Sequence, residues 1–245
     1  MKTYVSLTSI FQNQDILEKT LLSILNQTHK PDKIFIFLSE NSYLLDKGFK
    51  NKIITDKNLN SVLNNPLVEL RWVLNEGSYR KLLPLLKEKW TEDCFIITID
   101  DDTIYDKNLL KNLIIDYNNH HCVVNYRGFT PKSKNLKDFD YNKRDKTINK
   151  HILNFSTGKG GILYKPSFFH KTEDIIFNDK LYKNICPKQD DVWFYILRIK
   201  NNIDCYIDNK CYLVKDLGRK GLFEHYNKHN NFNTITVRKV YNKIY

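Results

Sequence analysis

The chain has 245 residues, enough to bury a sizeable core as one large α/β domain or two small ones, and its 41% hydrophobic and 13% aromatic content argues against disorder. Five cysteines, odd in number and without a C-x-x-C pair, argue against a disulfide framework or zinc ribbon and for a reducing compartment. The net charge of +11 comes from lysines spread along the whole sequence, which reads first as compositional bias, second as adhesion to an anionic membrane face, and last as nucleic-acid binding, which wants a patch with interleaved aromatics.

Met1-Lys2-Thr3-Tyr4-Val5 moves straight into strand-like sequence with no visible signal peptide. No apolar run approaches the ~20 residues of a membrane span, so the expectation is a soluble, cytoplasmic protein. Tyr4 to Ile10 reads as a first strand. Asp15 and Glu18 have capping-box spacing, and Leu17, Leu21, Ile24 and Leu25 then share one helical face. Lys33 to Leu38 is a continuous apolar run, as in a strand covered on both faces. Strand, helix and strand make a right-handed βαβ unit. The polar stretch 42–66 reads as a helix and loops, and Val68 to Leu74 as a third strand. After the break at Gly77-Ser78, Tyr79 to Trp90 reads as a helix burying Leu82, Leu83, Leu86 and Trp90, with Pro84 tolerated near its start.

Phe95-Ile96-Ile97-Thr98-Ile99 reads as a buried strand that ends, without a turn residue, in Asp100-Asp101-Asp102. Ligands bind at the carboxyl ends of strands in open α/β sheets. Adjacent like charges cost free energy unless a cation joins them, and Mg²⁺ or Mn²⁺ takes one or two carboxylates plus substrate phosphates. The competing reading is a solvated acidic turn that caps the helix carrying Leu109, Leu110, Leu113, Ile114 and Tyr117. Cys122 to Tyr126 is a further strand, and the charged segment Asp138 to Lys150 an excursion over the site.

Gly158-Lys159-Gly160-Gly161 runs into the strand Ile162-Leu163-Tyr164; without a following helix it is a weak Walker loop, and a tight turn is the plain alternative. Asp190-Asp191 opens an amphipathic helix carrying Val192, Ile196 and Ile199. Helix-dipole capping, worth about 0.3–1 kcal/mol, would need one carboxylate; a pair invites a second role as general base. A basic tail with Arg219, Lys220, His225, Lys228, His229, Arg238 and Lys239 closes the chain.

In this order the stretches resemble the GT-A glycosyltransferases, in particular the family-2-like inverting enzymes. Ser6-Leu7-Thr8-Ser9 with Leu21 to Thr28 is similar to their opening strand and helix end. Gly77 to Leu86 is similar to a segment whose lysine faces the diphosphate, and Asp100-Asp101-Asp102 to the D-x-D motif. Gly158 to Tyr164, with Cys186-Pro187 and Asp190-Asp191-Val192-Trp193, resembles the acceptor-side glycine segment and base-bearing helix.

The resemblance implies a single α/β domain of the GT-A (Rossmann-like) type, a mixed, mostly parallel sheet flanked by helices. Residues 1–126 would form a nucleotide-sugar-binding half, 127–215 an acceptor and catalytic half, and 216–245 a basic tail. It implies a hexosyltransferase-type enzyme of surface glycan synthesis, moving a sugar from a nucleotide-diphosphate donor to a glycan or lipid-linked acceptor with inversion. A basic face would help recruit such a donor and contact an anionic membrane periphery; no nucleic acid is expected.

Asp102 is then the ligand of Mn²⁺ or Mg²⁺. Asp100 serves ribose or a metal-bound water, and Asp101 turns away because alternate residues of an extended chain face opposite sides. His225 is the candidate to complete the metal site. Lys81 and Arg80 bind the diphosphate, Ser9 and Phe11 line the base pocket, and Glu40 stands where the family often has an acidic pair. Asp191 is the base, with Asp190 the other candidate. Gly160, Gly161 and Trp193 lie on the acceptor side. The alternatives are a nucleotidyltransferase acting on a sugar phosphate, which would want a glycine-rich loop where Ser9 to Asn13 has none, and a non-enzymatic nucleic-acid-binding protein.

Overall fold

The computed structural model describes residues 1–146, 148–209, 213–218 and 231–245. In chain order they form β1 (Lys2–Thr8), α1 (Gln14–Leu25), β2 (Lys33–Leu38), α2 (Lys57–Leu63), β3 (Val68–Trp72), α3 (Leu83–Glu88), β4 (Cys94–Thr98), β5 (Thr103–Tyr105), α4 (Leu109–His120) and β6 (Val123–Asn125). There follow β7 (Gly128–Pro131), β8 (Arg144–Asp145), β9 (Asn149–His151), β10 (Phe155–Ser156), β11 (Ile162–Tyr164), α5 (Glu173–Ile176), α6 (Asp179–Ile185), α7 (Asp190–Lys200), β12 (Cys205–Ile207), β13 (Leu213–Asp216) and α8 (Phe232–Ile244).

Eight strands make one mixed sheet in the order β3-β2-β1-β4-β11-β6-β12-β9. Its first four strands are parallel, β11 runs antiparallel between β4 and β6, and β12 returns parallel to β6. The strands alternate strictly between two cores. Tyr4, Phe35, Phe37 and Ile96 point to a face covered by Leu83 and Leu86 of α3, Trp193 and Ile196 of α7, and Val237 and Val240 of α8. Val5, Leu7, Ile34, Ile36 and Ile97 point to the other, covered by Leu17, Leu21 and Ile24 of α1 and Leu109 and Leu113 of α4. Both faces of β2 are therefore dry, which is why Lys33 to Leu38 shows no polar alternation. The mostly parallel α/β sheet expected from the sequence is the one observed.

Local details differ. Asp15 does not cap α1: Asn13 holds the cap position without a side-chain hydrogen bond, and Asp15 lies within the first turn. The segment after Gly77 is a tight 3₁₀ turn, Gly77–Lys81, followed by the short α3 with Pro84 in its first turn. Pro84 is tolerated there because a first-turn N–H has no intrahelical acceptor to lose. The chain end is not a loose tail. α8 buries Thr236, Val237 and Val240, and Tyr141 N–H donates to Thr234 Oγ1 at 3.0 Å. Among the described residues no helix is long and apolar enough to cross a membrane.

Candidate active site

The strand order fixes where a ligand can bind. From β1 the chain winds outward through β2 and β3, then returns to place β4 on the other side of β1. The crevice between the carboxyl ends of β1 and β4 is the point where the winding reverses, and such points hold ligands in open α/β sheets. Thr8-Ser9 ends one strand and Ile99-Asp100 follows the other. A cavity of about 740 Å³ opens there, lined by Ser9, Arg80, Lys81, the three aspartates 100–102, Asp190 and Asp191.

The acidic triplet is held as a shaped turn. Asp100 N–H donates to the Tyr105 hydroxyl at 3.0 Å, and Thr20 Oγ1 of α1 donates to the Asp101 carbonyl at 2.8 Å. The three side chains then diverge. Asp101 accepts from Ser9 Oγ and from Asn13 Nδ2, so it ties the β1–α1 loop to the triplet. Burial pushes its carboxyl up to about 6 despite those two bonds. Asp100 accepts from Lys81 Nζ at 3.0 Å. Asp102 lies 3.5 Å from Lys159 Nζ, which also reaches Asp216 at 2.7 Å. Burial, then the neighbouring Asp100, raises the Asp102 carboxyl above the usual range, with Lys159 only partly opposing them.

Lys81 joins the two acidic clusters. Its Nζ is 3.0 Å from Asp100 and 3.4 Å from Asp190. Burial disfavours the ammonium, yet the Asp100, Asp190 and Asp191 carboxylates hold its pKa well above the ordinary lysine value. The 3₁₀ turn delivers it there. Ser6 Oγ of β1 donates to the Lys81 carbonyl at 2.5 Å, and Tyr79 OH donates to the Cys186 carbonyl at 2.5 Å. The same turn brings Ser78 Oγ to Asp190 Oδ1 at 2.6 Å. Gly158 closes the arrangement from above: a Cβ there would lie 2.5 Å from Lys81 Nζ and 2.9 Å from Asp100 Oδ1, so the close approach requires glycine.

Asp190 and Asp191 begin α7, and they differ. Asp190 is buried, and its Oδ2 accepts no hydrogen bond among the described residues while facing Lys81. Asp191 is half-buried and accepts from Gly158 N–H at 3.3 Å. Burial, then the Asp190 charge, pushes its carboxyl up to about 7. A carboxylate with that affinity for protons suits general-base work near neutrality.

Among the other described candidate site residues named from the sequence, Arg80 alone reaches the large cavity. Arg80 lines the cavity but is 1% exposed and pairs with Asp46 at 3.0 Å; its Nη1 has no partner among the described residues. Phe11 lies against Phe49, ring centroids 5.4 Å apart, and lines a separate cavity of about 370 Å³. Glu40 is exposed, 3.7 Å from Lys52, and does not line the large cavity. The acidic residue that does so beyond β2 is Asp46, which receives Phe11 N–H and Gly48 N–H besides Arg80. Gly160 packs on the Arg127 backbone, and Gly161, at φ +74°, faces Leu109 and Leu113. Trp193 is fully buried with its Nε1 on the Ile176 carbonyl, so its indole faces the core rather than the cavity. His225 lies outside the described residues.

Sequence reasoning did not single out Asp46, Lys159 as a cation beside Asp102, or the wall made by Arg127, Tyr141 and Arg144. The Asp46-x-Gly48 turn spacing was one available signal. Among the described residues no cluster of three or more His, Cys, Asp or Glu is gathered for a metal ion. Asp100 and Asp102 nonetheless match the carboxylate share that Mg²⁺ or Mn²⁺ takes when substrate phosphates complete the shell. The Asp102 carboxyl is raised by burial first and by the Asp100 charge second, and a cation held there would offset both.

No protein-family model matches the chain, and no curated protein matches it in sequence. Solved structures do. S. aureus TarS 1-349 in complex with UDP is 15% identical with a TM-score of 0.54 over 87% of this chain and 59% of that one. The same fragment in complex with UDP-GlcNAc is 14% identical with a TM-score of 0.53, covering 90% and 60%. Francisella tularensis 2-C-methyl-D-erythritol 4-phosphate cytidylyltransferase (IspD) is 13% identical with a TM-score of 0.53, covering 93% and 99%. The chain thus spans about three fifths of the TarS fragments and nearly all of IspD. These likenesses show the fold alone, a GT-A-like mixed α/β sheet.

Proposed function

We propose that the chain transfers a sugar from a nucleotide-diphosphate donor to a hydroxyl on a glycan or lipid-linked acceptor, with inversion, in surface glycan synthesis. The observation that carries this reading is Lys81 held between Asp100 and Asp190 at the strand-reversal crevice. A donor diphosphate would bring the negative charge that Lys81 meets as a point cation. Asp100 and the Ser9–Asp101 pair would meet the nucleoside, and the similarity of fold to a protein solved in complex with UDP supports a nucleotide in this crevice.

The bond from the anomeric carbon to the diphosphate oxygen breaks with its electron pair leaving on the diphosphate, through an oxocarbenium-like state. The acceptor oxygen attacks the opposite face and its proton passes to the Asp191 carboxylate. Lys81 stabilises the departing charge. Mn²⁺ or Mg²⁺ held by Asp102 with Asp100 would add Lewis-acid neutralisation of the same diphosphate. The buried Asp190 holds Lys81 and Ser78 in place rather than meeting the acceptor.

Asp191→Asn is the direct test. Removing a general base costs roughly 10²–10⁴ in rate, with nucleoside diphosphate affinity retained. Transfer at near wild-type rate would take Asp191 out of the base role. A second reading is nucleotide transfer to a sugar phosphate, favoured by the match to nearly the whole of a cytidylyltransferase. It requires pyrophosphate release from a nucleoside triphosphate, and a pyrophosphate-release assay separates the two.

A further inference from the structure

The cavity's cations are not equally committed. Arg80 is paired with Asp46, Lys81 with Asp100 and Asp190, and Lys159 with Asp102 and Asp216. Arg127 and Arg144 line the same cavity, and among the described residues neither forms an ion pair with a carboxylate. Acids near Arg144 in sequence are taken by lysines: Asp140 by Lys143 and Asp145 by Lys132, each at 3.8 Å.

Both guanidinium groups are nevertheless placed. Arg144 Cζ lies 5.0 and 4.9 Å from the ring centroids of Phe129 and Tyr141, and its guanidinium also hydrogen-bonds the Tyr141 side chain, so the remaining N–H groups are the ones open to a ligand. Arg127 Nη1 donates to Thr157 Oγ1 at 3.2 Å, one residue before Gly158, whose N–H meets Asp191. Arg127, Tyr141 and Arg144 line the same cavity as Thr157, Gly158 and Asp191.

We propose that Arg127 and Arg144 form a phosphate receptor, and that the acceptor is a phosphorylated polyol or sugar whose free hydroxyl reaches Asp191. Two forked cations match the several oxygens and the charge of a phosphate, and they offset its repulsion by Asp191. This rests on the sugar-transfer reading only for the hydroxyl; the receptor itself stands on the arginine geometry.

The test is calorimetric binding of glycerol 1-phosphate to the full chain, with and without saturating nucleoside diphosphate, in wild type, Arg127→Gln, Arg144→Gln and the double variant. Glycerol and glycerate are the uncharged and carboxylate controls. Vesicles of phosphatidylglycerol against phosphatidylcholine distinguish a lipid-borne phosphate from a soluble one. The expected result is binding of glycerol 1-phosphate with the nucleotide site filled, weakened at least about ten-fold in the double variant, with nucleoside diphosphate affinity unchanged. No phosphate binding, equal binding of glycerol, or loss of nucleotide affinity in the arginine variants would each overturn it. Phosphate binding at these arginines without any nucleotide binding would keep the receptor and sink the transfer reading.

Discussion

At the scale of single residues, the site is a set of acids made unequal by their surroundings. Asp191 shows this most sharply, with a carboxyl pushed up to about 7 by burial and by Asp190. Transfer is therefore expected to rise with pH through about 7 as the base form appears, read as kcat/KM against pH. The same shift has a stability consequence of definite sign. Between its ordinary value of 3.8 and about 7, the folded chain binds this proton more tightly than the unfolded one. Its contribution to stability is full below 3.8 and is lost as pH rises through about 7. Asp191→Asn should raise Tm at pH 8 by on the order of a few degrees and leave it unchanged at pH 3; a lowered Tm at pH 8 would contradict this. Gly158→Ala tests the other close approach. Its Cβ would push Lys81 Nζ off Asp100, so nucleoside diphosphate affinity should fall while the chain stays folded, because the displaced atom ends a flexible side chain. The acids at 100–102 and 190–191 were legible as clusters. Asp46 was not, because its partner Arg80 lies 34 residues away and an isolated aspartate in a polar stretch carries no periodic signal.

At the scale of elements, the strands were legible and the short turns were not. Runs such as Lys33 to Leu38 declare burial on both faces by composition alone. The 3₁₀ turn Gly77–Lys81 has no such pattern: Tyr79 and Arg80 are buried by contacts from Cys186 and Asp46, far along the chain. α8 was read as tail because its basic residues hid the Val237 and Val240 stripe that packs beside α7. Trp193 was placed toward the acceptor by resemblance, whereas α7 turns it into the core against Tyr182, centroids 5.9 Å apart. Trp193→Ala should cost about 3–5 kcal/mol in denaturant unfolding, as for a large aromatic removed from a packed core. Trp193→Phe should leave the acceptor KM unchanged; a raised KM would return Trp193 to the acceptor side.

At the scale of the whole molecule, the strand order 3-2-1-4 places every functional group at one crevice. Lys81, the acid triplet and Asp191 come from three separate elements that only this winding brings together. Their order along the chain was visible in the sequence; their convergence was not, since it depends on β11 pairing antiparallel with β4 and so drawing Gly158 over Lys81. The central claim is that this crevice takes a nucleotide-sugar. The most direct measurement is thermal unfolding of the chain with UDP-, GDP-, CMP- and dTDP-sugars, each with and without Mn²⁺. A ligand at a hundredfold excess over its dissociation constant stabilises the fold by about 2.7 kcal/mol, or roughly 5–10 °C for a domain of this size. The account predicts a shift of that order for one nucleotide class, larger with Mn²⁺ and lost in Lys81→Ala. No shift with any of the four would contradict it.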